Sequence, residues 1–404
     1  MSMTAYAPLR HPVLKVPYLA FELLTALVRV PCWALLAIPR GWRPRKSWSW
    51  SLSVMVKLGR HIVSMNDKVG NFQTPPPNHL ALVPGPGYHG VWVSPVPQSY
   101  ILGKVAMWAS VAEVAPIRLP GYWIHEPGST VAPEAPLMPG EKVIYALHGG
   151  GYTRWSAHPA QFPGHAARGV IQHAACVHRT FSIEYRLSST TPFAVAHPFP
   201  TALIDALTGY HYLVSTLHIP PASIVFMGDS AGGNLTLALV RYLVEHPISD
   251  LPPPGALLLL SPWADLGTSH ETPNSSLITC AASDFLAAPT GPPARPNFLH
   301  WSIRAFTGPL GLGAAETNPY ISPASRHLDV SFEGFPRTFI SAGEAEILRD
   351  SIRTLNERMS RDLGEGARYL EAPDSVHDFL LLQGLQEPQR GETLGAIAEW
   401  LAEA

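Results

Sequence analysis

Cysteine is scarce in this sequence: Cys32, Cys176 and Cys280 are the only three in 404 residues. An odd, widely spaced set builds no disulfide framework, so the fold must be held by its core. Charge is scarce too, at 14% of residues against 46% hydrophobic ones, and the net charge is −2. Such a chain lacks the basic footprint that nucleic acid requires, and its composition leans toward apolar partners. No H-E-x-x-H or C-x-x-C spacing occurs, so no metal is expected. A dinucleotide fingerprint, a phosphate-binding loop and an internal repeat are equally absent, and no cofactor is expected.

What is present is a pentapeptide suited to chemistry. Gly228-Asp229-Ser230-Ala231-Gly232 follows a strand-like run over 223–227 and precedes a helix-like run over 233–240. A serine on a tight strand-to-helix turn projects its hydroxyl above the sheet edge, and the flanking glycines leave room for the strained turn. The helix that begins there aims its first amides at a reacting oxygen. The pattern is that of the nucleophile elbow of an α/β-hydrolase, with Ser230 as nucleophile. Asp229 reads as a residue that caps or orients the turn.

Upstream, residues 142–147 read as a buried strand ending in His148-Gly149-Gly150-Gly151-Tyr152. Successive glycines let the backbone approach a substrate and turn its N–H groups inward. Acyl transfer needs such donors, because negative charge collects on the carbonyl oxygen in the transition state. Gly149 and Gly150, with Ala231 from the elbow, are the expected oxyanion donors. Tyr152 and Trp155 follow the loop; they either line an apolar pocket or pack as core.

A nucleophilic serine needs a base, and the base needs an orienting carboxylate, in the chain order Ser, acid, His. His246, His270, His300 and His327 fall in helix-end, loop or helix-like contexts. His377 falls in a loop after a late strand-like run over 367–373 and is the expected base. An earlier run over 337–342 leads into a segment holding Glu344, Glu346 and Asp350. Alternating strand-like and helix-like runs from about residue 140 predict a mostly parallel sheet wrapped by helices, an α/β fold.

With these motifs the chain resembles the hormone-sensitive-lipase-like esterases, the branch with an HGGG oxyanion loop and a GDSAG elbow. Further segments carry the resemblance: Glu184-Tyr185-Arg186-Leu187 with the stretch 197–207, Leu260-Ser261-Pro262-Trp263, and Asn318-Pro319-Tyr320-Ile321-Ser322-Pro323. It covers roughly residues 120–404 and is nearest to fungal members, among them sterol-acetate deacetylases and esterases of secondary metabolism. The resemblance implies an α/β-hydrolase fold with a helical cap. It puts Glu346 at the acid position, where the family more often has Asp, and leaves Asp350 as a second, structural carboxylate. An insertion over 188–196 lengthens a loop on the active-site side, so substrate preference is not carried over. The implied organisation is an N-terminal apolar helix and basic, Trp-rich segment over 1–60, a cap-contributing region over 61–135, and a catalytic domain over 136–404 with a cap insertion near 267–317.

The N-terminus adds a separate feature. Residues 17–39 are largely apolar and, as a helix, long enough to cross a bilayer. Glu22 and Arg29 share a helix face, and charge at bilayer centre is costly, which favours a helix lying in the interface. Arg40, Trp42, Arg43, Arg45, Lys46, Trp48 and Trp50 follow, a mix suited to headgroups. Membrane association, at the endoplasmic reticulum, is the expectation; a cytosolic enzyme whose own cap includes this helix is the alternative. Deletion of residues 1–50 is expected to move the protein into the soluble fraction, to spare activity on small soluble esters and to lower activity on membrane-dissolved ones.

The expected activity is that of a serine carboxylesterase acting on short-acyl, acetyl-like esters of apolar alcohols through Ser230, His377 and Glu346. An acyl transferase with the same triad and a non-catalytic binding module of the same fold are the rivals. His377 argues against the binding module, because plant receptors that resemble this family have lost that histidine.

Overall fold

The sequence orders itself around one mixed sheet, seen in a computed structural model that describes residues 7–69, 82, 85, 87–126, 128–129, 132, 134–191, 193–286 and 297–403. Its strands are β1 (Tyr88–Val93), β2 (Leu119–His125), β3 (Val143–Leu147), β4 (Arg179–Ile183), β5 (Ile224–Asp229), β6 (Ala256–Leu260), β7 (Arg337–Gly343) and β8 (Ala367–Ala372). They lie in the order β1-β2-β4-β3-β5-β6-β7-β8. β1 pairs antiparallel with β2, and β2 antiparallel with β4; every other pair is parallel. The expected mostly parallel α/β sheet is therefore present.

The central strands are apolar without alternation because both faces are covered. All five residues of β3 and of β6 are buried. Val143, Tyr145 and Leu147 point into one core, while Ile144 and Ala146 point into the other. The principal helices are α1 (Pro12–Leu36), α2 (Trp50–Val69), α3 (Gly103–Val111), α4 (Gly164–His173), α5 (Thr201–His211), α6 (Ala231–Glu245), α7 (Phe298–Thr307), α8 (Arg349–Leu363) and α9 (Gln389–Ala402). α5, α6 and α8 fill the first core with Leu207, Leu239 and Ile352. α4 and α9 fill the second with Val170, Ile397 and Trp400.

The N-terminal segment is not an appendage. Trp48, Leu52 and Val56 join the second core, and Trp48 Nε1 donates to Asp374 O at 2.6 Å. The chemistry was expected to be separable in part from residues 1–50, but that deletion would remove Trp48 from a buried position. Parts of the expected cap segments 61–135 and 267–317 lie outside the described residues. Within them, α7 packs beside α2, and Trp301 Nε1 donates to Thr191 O of the 188–196 insertion at 3.2 Å.

Candidate active site

Every functional position suggested by the motifs follows the C-terminal end of a parallel strand. β3 ends at Leu147 and runs into the glycine loop; β5 ends at Asp229, one residue before Ser230. β7 precedes Glu346, and β8 precedes His377. Loops at one edge of the sheet thus bring together residues far apart in sequence.

Ser230 sits at φ +51° and ψ −117°, a strained conformation for a residue with a side chain. Three backbone bonds hold it there: Ser230 N–H donates to Leu260 O at 2.9 Å, and Ser230 O accepts from Trp263 N–H at 2.8 Å and from Asn234 N–H at 3.2 Å. The turn also requires glycine at 232, where a Cβ would overlap the Leu147 carbonyl.

His377 Nε2 lies 3.0 Å from Ser230 Oγ, and its Nδ1 lies 2.7 Å from Glu346 Oε2. The other carboxylate oxygen of Glu346 accepts the Gly343 N–H at 2.8 Å. Burial pushes Glu346 up to about 7, against its bond to His377. Burial disfavours a charged imidazole at His377, but the carboxylates of Asp378 and Glu346 outweigh it and raise the group well above its ordinary value. The rival carboxylates go elsewhere. Asp350 accepts the Ser276 N–H at 2.7 Å, and Glu344 accepts the Asp374 N–H at 3.0 Å. His270, among the other histidines, bonds Asp265 at 2.6 Å and Thr354 at 3.0 Å, away from the serine.

The oxyanion loop departs from expectation at Gly149. Its N–H donates to Asp229 Oδ2 at 3.0 Å and is therefore occupied. Asp229 ties the oxyanion loop to the elbow, a more specific task than capping the turn. Among the described residues none accepts from the N–H groups of Gly150 and Gly151, which follow Gly149 in the loop, or of Ala231, which follows Ser230 in the elbow. His148 stacks on Tyr185 with ring centroids 4.2 Å apart, and burial lowers it to about 4. A neutral His148 is a packing element beneath the loop.

Tyr152 is also corrected. It is fully buried, stacks on Phe306 at 3.7 Å and donates its hydroxyl to Asn234 Oδ1 at 2.6 Å. Those contacts leave it no face toward a pocket. Trp155 is half-buried, and a Cβ at Gly150 would meet its Cδ1 at 2.5 Å, so it stands against the oxyanion loop.

Three neighbours escaped the sequence reading. Asp378 Oδ2 lies 3.2 Å from His377 Nε2. Asp284 is buried and accepts the Ile347 N–H at 2.7 Å, which fixes the backbone next to Glu346. Phe285 packs its ring 5.8 Å from that of His377. Asp378 adjoins the expected base, which was a usable signal; Asp284 and Phe285 sit in a loop-rich stretch with none.

The sequence profile of the α/β hydrolase fold family matches residues 144–381. The chain belongs to that family, and its HGGG and GDSAG motifs resemble those of the hormone-sensitive-lipase-like esterases. It is 28% identical over 245 residues to an acetyl-hydrolase of Streptomyces hygroscopicus, covering 59% of this chain and 68% of that one. It is 26% identical over 182 residues to a versiconal hemiacetal acetate esterase of Emericella nidulans, covering 45% of this chain and 56% of that one. The crystal structure of an esterase from the bacterial hormone-sensitive lipase family superposes with a TM-score of 0.59 at 21% identity, covering 88% of this chain and 99% of that one. That last likeness is one of fold. The chain is an enzyme, a hydrolase of ester bonds.

Proposed function

We propose that this chain is a serine carboxylesterase that removes short, acetyl-like acyl groups from apolar alcohols. The observation that carries the reading is the relay Ser230 Oγ–His377 Nε2 at 3.0 Å and His377 Nδ1–Glu346 Oε2 at 2.7 Å. Ser230 attacks the ester carbonyl while His377 takes its proton. Glu346, held by the Gly343 N–H, keeps the imidazole oriented and supports it once charged. The N–H groups of Gly150, Gly151 and Ala231 receive the oxyanion. His377 then protonates the departing alcohol, and water, activated by the same imidazole, releases the acid.

The short acyl group is supported by the names of two relatives, an acetyl-hydrolase and an acetate esterase. The apolar alcohol is supported by the aromatic surroundings. Phe285 lies against His377, and a Cβ at Gly151 would meet Phe298 Cζ at 2.8 Å. We assign α1, α2, α7 and the 188–196 insertion to a cap over the site, and α1 to contact with a membrane, with the endoplasmic reticulum as the compartment to examine. The activity test is a panel of p-nitrophenyl esters of rising acyl length beside acetylated sterols and terpenoids. Preference for acetate on an apolar alcohol supports the reading; no hydrolysis of any ester contradicts it. Product analysis with an added alcohol separates hydrolysis from acyl transfer.

A further inference from the structure

The polarity of α1 is inverted relative to a helix on a soluble protein. Its ionisable residues Lys15, Glu22 and Arg29 recur every seven positions and share the face turned toward α2. Glu22 is 4% exposed, bonds Arg29 Nη1 at 2.7 Å and faces His61 Nε2 of α2 at 3.2 Å. The opposite face carries Val16, Leu23, Leu24, Leu27, Val28 and Leu35, each 65–71% exposed. A continuous apolar face of this kind marks an interaction surface.

We infer that α1 lies along one leaflet of a bilayer without crossing it, docked on α2 through its charged stripe and sunk into hydrocarbon through its apolar face. The inference rests on the membrane reading of the N-terminus given above. It deepens that reading by fixing the orientation and the side of the membrane on which the chain ends.

Two sets of contacts argue against crossing. α1 is bound along its length to α2: Lys68 Nζ lies 5.7 Å from the Tyr18 ring, Trp33 packs edge-on to His61 at 5.6 Å, and Trp50 Nε1 donates to Ala34 O at 2.7 Å. α2 is in turn seated on the catalytic domain through Leu52 and Val56, and a Cβ added at Gly59 would meet Phe285 Cβ at 3.3 Å. A crossing α1 would have to leave α2 and carry Glu22 and Arg29 into hydrocarbon. The occupant is a bilayer because the C-terminal end of α1 has the matching rim. Trp42 is 65% exposed there, beside exposed Arg40 and Lys46, the residue types that meet headgroups and anionic lipid. The consequence for the enzyme is spatial. Phe285 lies between α2 and His377, so the hairpin stands one side chain away from that histidine.

The test uses the full chain and vesicles of phosphatidylcholine and phosphatidylserine, with a protease-cleavable tag before Met1. The wild type should float with the vesicles, and the tag should be cut while the vesicles stay intact. Leu23→Glu/Leu27→Glu should reduce vesicle partitioning by more than about tenfold, given the cost of charge in hydrocarbon, while p-nitrophenyl acetate hydrolysis is retained. Native Cys32, exposed on α1, should react with a maleimide in the free protein and be shielded on vesicles. Flotation with a protected tag would overturn the orientation and leave the membrane reading standing. Failure of the wild type to float would overturn both, and a dimer that the double variant dissociates would assign the face to a second copy of the chain.

Discussion

Asp378 Oδ2 and Ser230 Oγ converge on the same atom, His377 Nε2, at 3.2 and 3.0 Å. A neutral imidazole that donates from Nδ1 to Glu346 presents a lone pair at Nε2, which a carboxylate repels. A charged imidazole presents an N–H there, which both oxygens attract. Asp378 therefore favours the charged ring. It stabilises the imidazolium formed during attack and lowers the fraction of resting enzyme that holds the free base.

The sign of the pH dependence follows. The base acts only when deprotonated, and the neighbouring carboxylates hold His377 above its ordinary value despite burial. The rising limb of kcat/KM should therefore lie above pH ~6.5, the unperturbed histidine value. Asp378→Asn removes one of the two anions, so the limb should move toward lower pH. A limb that stays in place in the variant would show that Asp378 does not act on the base.

Glu346 and Asp350 lie one helical turn apart in sequence and have different partners. Glu346→Gln should lower kcat by ~10³–10⁴-fold, as loss of a triad carboxylate does elsewhere. Asp350→Asn keeps an acceptor for the Ser276 N–H and should change kcat little. Steady-state kinetics on one soluble ester compares the two, and the reverse ranking would move the acid to Asp350.

Asp229 bonds the Gly149 amide, and burial raises its carboxyl well above the usual range, with Asp378 acting in the same direction. The protonated side chain and an asparagine both retain an oxygen for that amide. Asp229→Asn should thus be mild. Asp229→Ala should release the loop and lower kcat by on the order of 10²-fold, approaching the loss of an oxyanion donor.

The catalytic half of the molecule was legible because its chemistry imposes sequence order: glycine loop, elbow, acid, histidine. Ser230 and His377 could be proposed from strand-like runs followed by the right residue types, whereas Glu346 was singled out from Glu344 and Asp350 only through the family resemblance. The fate of individual amides could not. Whether Gly149 or Gly151 has a free N–H depends on where the Asp229 side chain turns, a tertiary fact. Tyr152 was open between pocket and core because it follows the loop; at φ +62° its side chain is buried in the core. The N-terminus misled for a related reason. Glu22 and Arg29 were correctly placed on one face, but their partner His61 is on another helix, and Trp48 read as a headgroup residue although it is buried.

Trp48 gives the stability prediction. It is 3% exposed and bonds the backbone of Asp374, three residues before His377. Trp48→Ala should destabilise the fold by about 3–5 kcal/mol and lower activity with it. Thermal melts of the variant, and of a chain lacking residues 1–50, should both show the loss. An unchanged melting temperature would return residues 1–50 to the status of a dispensable segment.

The central claim is that Ser230 is the nucleophile of this enzyme. Fluorophosphonate labelling of the wild type, of Ser230→Ala and of His377→Ala tests it directly. The account predicts one label per chain in the wild type, none in Ser230→Ala, and strongly slowed labelling in His377→Ala, with esterase activity lost in parallel. Full labelling of a folded Ser230→Ala chain, or ester hydrolysis undiminished by that change, would contradict it.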